Sequence, residues 1–112
     1  MRVEFQNRGA VVVITVTALR VDSAVIAQFV QTAGTALDGA RRAVLDLSGV
    51  PFLDSTALGA LVGLRKRLGA EGGIAIAGAQ PAVRNLFRLT RLDTVFPLFA
   101  TVADAVAASE TA

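Results

Sequence analysis

The densest group of reactive side chains in this chain is Asp54-Ser55-Thr56. One carboxylate and two hydroxyls stand in a row, just after the loop that follows Asp46-Leu47-Ser48. The chemistry open to them is narrow. The chain has no His, Cys, Tyr or Trp. A Ser-His-Asp triad, a thiol nucleophile, a Cys/His zinc site, a disulfide and a histidine pH switch are therefore excluded. No glycine-rich phosphate loop occurs either, so no nucleotide cofactor is expected. What remains is a hydroxyl that can receive a phosphate and carboxylates that can cap or bind a cation. Asp46 and Asp54 flank one loop and could hold a hard cation. A strand-end Asp and a helix cap form the simpler account, and no metal site is expected.

The local setting favours a helix start. Asp54 or Ser55 can accept from the free N–H groups of a first helical turn. On spacing alone, capping is a sufficient account of Ser55. The same place is a good seat for a phosphate, because a helix N-terminus offers free amides and a positive dipole end. A phosphoserine there adds a charge of about −1.5 to −2 beside Asp54 while the fold survives.

The elements that position this cluster can be read from the flanking pattern. Val3 to Gln6 predicts a short strand, Asn7-Arg8-Gly9 a turn, and Ala10 to Val16 a second strand, together a hairpin. Asp22-Ser23 is the expected cap of a helix whose buried face is Ile26, Phe29, Val30, Ala33 and Leu37. Ala43 to Leu47 predicts a third strand. A second helix from Asp54-Ser55 buries Ala57, Leu61, Leu64 and Leu68 and ends at Gly69. Ile74 to Ala77 follows as a buried strand. Pro81 opens a third helix that buries Val83, Leu86 and Phe87. Val95 to Ala100 predicts a last strand, placed at a sheet edge because Pro97 cannot donate to a ladder. Thr101 and Asp104 have capping-box spacing before a short final helix. The order β-β-α-β-α-β-α-β-α predicts an α/β fold, a single domain over 1–112. Its mixed, mostly parallel sheet of about five strands carries about four helices. Function in such sheets sits beyond the carboxyl ends of the parallel strands, where the Ser48 to Ser55 loop lies.

Composition removes further classes. The 112 residues are 54% hydrophobic and 18% charged, which excludes disorder. The sequence pI of about 10.4 suggests nucleic-acid binding, yet the net charge is only +2. Few groups titrate between the carboxylates and the one Lys, Lys66, so a small surplus persists to high pH. All six aromatics are Phe and most sit at core-periodic positions, so base stacking and direct nucleic-acid contact are not expected. The apolar run from Gly9 to Leu19 is too short for a helical membrane span. With no signal-peptide pattern at the N-terminus, a cytoplasmic protein is expected. Gly59 and Gly63 read as close-approach positions between a helix and the sheet. Arg65-Lys66-Arg67 complements a helix C-terminus. Arg84, Arg88 and Arg91 form a stripe that reads as solvent-facing.

Residues 44–59, with Asp46-Leu-Ser-Gly-Val and Leu53-Asp-Ser-Thr-Ala-Leu-Gly, resemble the STAS domain family, and within it the stand-alone anti-sigma factor antagonists. Gly72-Gly73, Pro81-Ala-Val-Arg and Leu92-Asp93-x-Val95-Phe96-Pro97 extend the resemblance over nearly the whole chain. It implies a non-catalytic module whose Ser55 is phosphorylated by a partner anti-sigma factor of the serine-kinase type. The unphosphorylated form would bind that kinase, and a serine phosphatase would restore it. Asp22, Asp54, Ser55, Thr56, Leu58 and Gly59 would form the partner surface. Two positions depart from the family pattern. Leu19-Arg20-Val21-Asp22 stands where Gly-Glu-[Leu/Ile]-Asp is common, and Ala57 stands where Gly is more frequent.

Other readings share parts of this pattern. STAS domains also serve as subunits of transport or signalling assemblies, in which the same surface docks without modification. A receiver domain phosphorylated on Asp46 would need an early acidic pair and a Lys after the last strand, and neither is present. The sheet edges could support a homodimer.

Overall fold

A computed structural model describes residues 1–69 and 72–111. Its elements run β1 (Arg2–Arg8), β2 (Val11–Thr17), α1 (Ile26–Leu37), β3 (Arg42–Gly49), α2 (Ser55–Arg67), β4 (Gly73–Ala77), α3 (Pro81–Leu89), β5 (Leu98–Phe99) and α4 (Val102–Thr111). The strands form one sheet in the order β1-β2-β3-β4-β5. β1 is antiparallel to β2, and every later neighbour pair is parallel. The expected α/β architecture is therefore observed.

Both sheet faces are covered, which explains the nearly unbroken apolar runs in the central strands. Val12, Ile14 and Val16 of β2 join Ala43, Leu45 and Leu47 of β3 and Ile74 and Ile76 of β4 on one face. α1, α2 and α3 pack there through Phe29, Ala33 and Leu37, through Ala57, Leu58, Leu61 and Leu64, and through Val83 and Phe87. The opposite residues, Val11, Val13, Val44, Ala75 and Ala77, face α4 through Ala105 and Val106. Small side chains on both sides of that second layer let the short α4 lie close to the sheet.

Several local expectations shift. The hairpin turn is Gly9-Ala10, with Arg8 paired to Val11. Gly9 takes φ +63 at the first turn position, as a type II′ turn requires. Asp22 does not cap α1. Its Oδ1 accepts from the Ala24 amide at 3.0 Å, and the helix begins at Ile26 without a side-chain cap. Asp22 stands too far before Ile26 to reach the first helical amides, so it builds the preceding turn instead. Thr101 does cap α4, accepting from the Asp104 amide at 3.1 Å. Gly59 and Gly63 do not mediate close packing. Both are exposed, and a Cβ at either would meet nothing within 4 Å. The packed stripe of α2 lies on its other side.

The largest departure is at the last strand. Only Leu98 and Phe99 pair with β4, at the sheet edge as Pro97 requires. Leu92–Thr94 form a 3₁₀ turn, and the Phe96 amide donates to the Leu92 carbonyl at 2.8 Å. That turn points Phe96 inward. Its ring meets Phe87 edge-on, with centroids 5.9 Å apart and planes at 69°, and both rings are fully buried. The pair fastens the edge segment to α3. Phe96→Ala should therefore cost about 3–5 kcal/mol in urea unfolding. A loss of only a few tenths would mean that the segment is held by β5 pairing and not by this contact.

Candidate functional site

Three connections meet at the carboxyl ends of the parallel strands. They lead from β2 to α1, from β3 to α2 and from β4 to α3. The first two are stitched together by backbone. The Val21 amide donates to the Phe52 carbonyl at 3.0 Å, and the Asp54 amide donates to the Val21 carbonyl at 3.3 Å. Val21 and Leu53 thus form an isolated parallel bridge. Val21, Val50 and Leu53 insert into the core beneath it. The loop before α2 consequently leaves the sheet with a fixed direction.

The third connection is tied in through side chains. Gln80 Nε2 donates to the Ser48 carbonyl at 2.9 Å. The Ser48 amide donates to Asp46 Oδ1 at 3.0 Å. Asp46 is therefore occupied with its own strand end. Among the described residues, no group of acidic side chains is arranged to hold a metal ion.

At the start of α2 the two capping candidates separate. Asp54 is the N-cap: its backbone is extended, and Oδ1 accepts from the Ala57 amide at 2.9 Å. Ser55 is the first helical residue, exposed, and its hydroxyl makes no hydrogen bond to the described residues. The amides of Ser55 and Thr56 likewise find no acceptor there, as geometry dictates for a first turn. Capping therefore uses Asp54 and leaves Ser55 available. The side chain of Thr56 is also exposed.

The residues expected to form a partner surface fall into two groups. Asp22, Asp54, Ser55, Thr56 and Gly59 lie on or near this end of the molecule, with Asp22 and Asp54 brought together by the Val21–Leu53 bridge. Leu58 does not belong there. It is 3% exposed and packs in the main core, so it holds α2 in place. Ala57 is buried as well, which is compatible with its place in the helix face against the sheet.

Sequence reasoning missed two large apolar side chains on the same surface. Leu19 is 89% exposed and Phe52 is 46% exposed. Arg20 lies over the Phe52 ring, its guanidinium carbon 5.4 Å from the centroid, and also pairs with Asp22 at 3.7 Å. The signal available was the loop Val50-Pro51-Phe52-Leu53. Once Val50 and Leu53 are assigned to the core, Pro51 and Phe52 must face out. Below them, Ser55, Gly59 and Gly63 follow one another at four-residue intervals along α2, so this row of the helix carries little side-chain bulk between Val62 and Thr56.

Comparison with known proteins agrees with this architecture. A curated relative from Pseudomonas aeruginosa (strain UCBPP-PA14), described as the STAS-domain containing protein PA14_20770, is 37% identical over 59 residues. That match spans 52% of this chain and 58% of the relative. A crystal structure of an anti-sigma factor antagonist from Mycobacterium paratuberculosis superposes with a TM-score of 0.88 at 32% identity, covering 97% of this chain and 93% of that one. SpoIIAA in its unphosphorylated form, also an anti-sigma factor antagonist, superposes with a TM-score of 0.81, covering 99% and 98%. Its phosphorylated form, from Bacillus, gives 0.70, covering 95% and 97%. At 20% identity those two share the fold alone. The family model of the STAS domain matches residues 2–105, and the chain belongs to that family.

Proposed function

We propose that this protein is an anti-sigma factor antagonist whose interaction surface surrounds Ser55 and is switched by phosphorylation of that residue. The observation that carries this reading is the division of labour at α2. Asp54 satisfies the helix, while Ser55 is exposed and its hydroxyl is uncommitted. A residue needed for the cap could not be modified without loosening the helix. Ser55 can be, and the unpaired first-turn amides and the positive end of a 13-residue helix favour the added anion.

In this reading the unphosphorylated surface binds an anti-sigma factor of the serine-kinase type, and that kinase transfers the phosphate. The charge of about −1.5 to −2 then stands beside Asp54 and repels whatever had complemented the neutral hydroxyl. A serine phosphatase resets the surface. The domain itself supplies no catalytic group, and its place of action is the cytoplasm, with the transcription machinery. The bare α2 face at Gly59 and the apolar Leu19 and Phe52 give the kinase a surface to close against. The resemblance in fold to a protein solved in both phosphorylated and unphosphorylated forms supports the reading.

Incubation with the cognate kinase anti-sigma factor and ATP should place one phosphate on Ser55. The formal charge is +2, so one phosphate cancels most of it, and isoelectric focusing should move the band from near 10.4 towards neutrality. Absence of phosphate from Ser55 with every cognate kinase sinks the proposal. Recovery of a transporter ATPase, and no kinase, from native lysate would favour an unmodified docking role.

Two substitutions separate cap from acceptor. Asp54→Ala should lower stability by about 1 kcal/mol through loss of the cap. Ser55→Ala should stay within about 0.5 kcal/mol of the parent while abolishing phosphorylation. The reverse order in thermal unfolding would make Ser55 the structural residue.

Gly59→Ala tests the surface itself. A Cβ there meets nothing, so the helix should gain about 0.5–1 kcal/mol. Binding to the kinase should weaken by at least about tenfold, because the methyl group stands where the partner approaches. Unchanged binding would remove this face of α2 from the interface.

A further inference from the structure

The connection after β4 runs to α3, and the connection after β5 runs to α4. These two helices lie on opposite faces of the sheet, α3 through Val83 and Phe87 and α4 through Ala105 and Val106. β4 and β5 are adjacent and parallel. Where two neighbouring strands send their chains to opposite faces, a crevice opens beyond their carboxyl ends, and open α/β sheets bind ligands at such points. The connections from β2, β3 and β4 all lead to one face, so β4–β5 is the place in this parallel run where the condition is met.

A crevice is found there. It is a half-open depression of about 380 Å³ between Gly78, Ala79, Arg84 and Arg88 on one side and Leu98, Phe99 and Ala100 on the other. That volume is within the range of small-molecule sites. Gly78 holds its back wall. It takes φ +66, and a Cβ would lie 3.0 Å from the Ser48 side chain, so the backbone there is bare and close to β3. Leu98 and Phe99 are half-buried and supply an apolar side.

The charge in the crevice has one sign. Arg84 and Arg88 stand one turn apart on α3. Among the described residues, neither has a carboxylate within ion-pair distance. Arg84 donates one N–H to the Ala79 carbonyl at 3.3 Å, which ties its guanidinium to another residue of the crevice lining. The Arg88 guanidinium makes no hydrogen bond to the described residues. Two like charges one turn apart weaken a helix. Arg84 and Arg88 are both exposed, as a solvent-facing stripe predicts, but they also line the crevice together with the half-buried Leu98 and Phe99, whereas Arg91 lies beyond the end of α3.

We propose that this crevice binds a small organic anion, a carboxylate or phosphate monoester carried on an apolar or aromatic body. The two guanidinium groups take the anionic oxygens in forked hydrogen bonds. The body lies against Leu98 and Phe99. The site is separate from Ser55 and does not depend on the phosphorylation reading.

The test is titration of the isotope-labelled protein with phenyl phosphate, benzoate and inorganic phosphate, followed by amide chemical shifts. Phenyl phosphate or benzoate should give saturable shifts centred on Gly78, Ala79, Arg84, Phe99 and Ala100, and the stronger of the two identifies the anionic group. Inorganic phosphate should bind more weakly, since it has no body to place against Phe99. Arg84→Ala/Arg88→Ala should reduce the affinity by at least about tenfold. Arg88→Ala alone removes a side chain that the fold does not use, and should still lower it measurably. Ser55→Ala should bind like the parent. Absence of saturable shifts at these amides with both organic probes overturns the proposal. So does equal binding by the arginine variants, or inorganic phosphate binding as tightly as the organic probes.

Discussion

The candidate functional end of this molecule depends on one pair of backbone hydrogen bonds, between Val21 and the segment Phe52 to Asp54. Loops at the ends of parallel strands have no ladder to hold them, and their direction is ordinarily soft. Here two successive connections pair briefly with each other as if the sheet continued one residue further. Val21, Val50 and Leu53 bury beneath the pairing and make it costly to open. The entry of α2 is fixed by this arrangement before any cap is made. Asp54 then has only to turn its carboxylate onto the Ala57 amide.

That order of support leaves an exposed serine at a helix start with no structural duty, as the proposed phosphorylation of Ser55 requires. A hydroxyl that caps a helix is tied to structure, and phosphorylation would exchange one requirement for another. With the cap one residue earlier and the loop anchored by apolar side chains, Ser55 carries little of the fold's stability. Its surroundings are correspondingly unusual for a surface. Leu19 and Phe52 expose apolar area beside it, and Gly59 and Gly63 leave the following helix face bare. Each interior glycine costs a helix about 1 kcal/mol relative to alanine, and no packing contact in the fold requires either. In the proposed interface, a closely approaching partner would account for that cost.

What was legible in the sequence follows from how local each determinant is. The sequential order of elements, the start of α2 and the Thr101 cap of α4 rest on patterns within a few residues, and they stand as expected. The end of the sheet was not legible in the same way. Val95 to Ala100 has a strand's composition, but Phe96 is drawn into the ring of Phe87 from a different element, and a 3₁₀ turn delivers it there. Asp22 has the right type for a cap but the wrong distance from Ile26, which only the path of the loop decides. Gly59 and Gly63 carry the spacing of a tight interface, yet nothing in that spacing says which side of the helix meets the sheet. Leu58 follows the same rule in reverse: beside the reactive cluster in sequence, it faces the core.

The same locality bears on whether the crevice beside α3 and the surface around Ser55 act on one another. A physical link exists. The peptide of Ser48 is held by Asp46 on one side and by Gln80 on the other, and Gly78 at the back of the crevice packs against the Ser48 side chain. The link stops short of the helix cap, however. Between Ser48 and Asp54 the chain passes through Val50 and Leu53, both fixed in the core, and Asp54 takes its position from Val21. Energetic coupling between two sites requires an element with two arrangements that both can bias. The loop is held at Val50, Leu53 and Val21, and opening it would expose all three buried side chains. On the two proposals above, the crevice and Ser55 share a frame without sharing a switch, and a phosphate on Ser55 would be read where it stands.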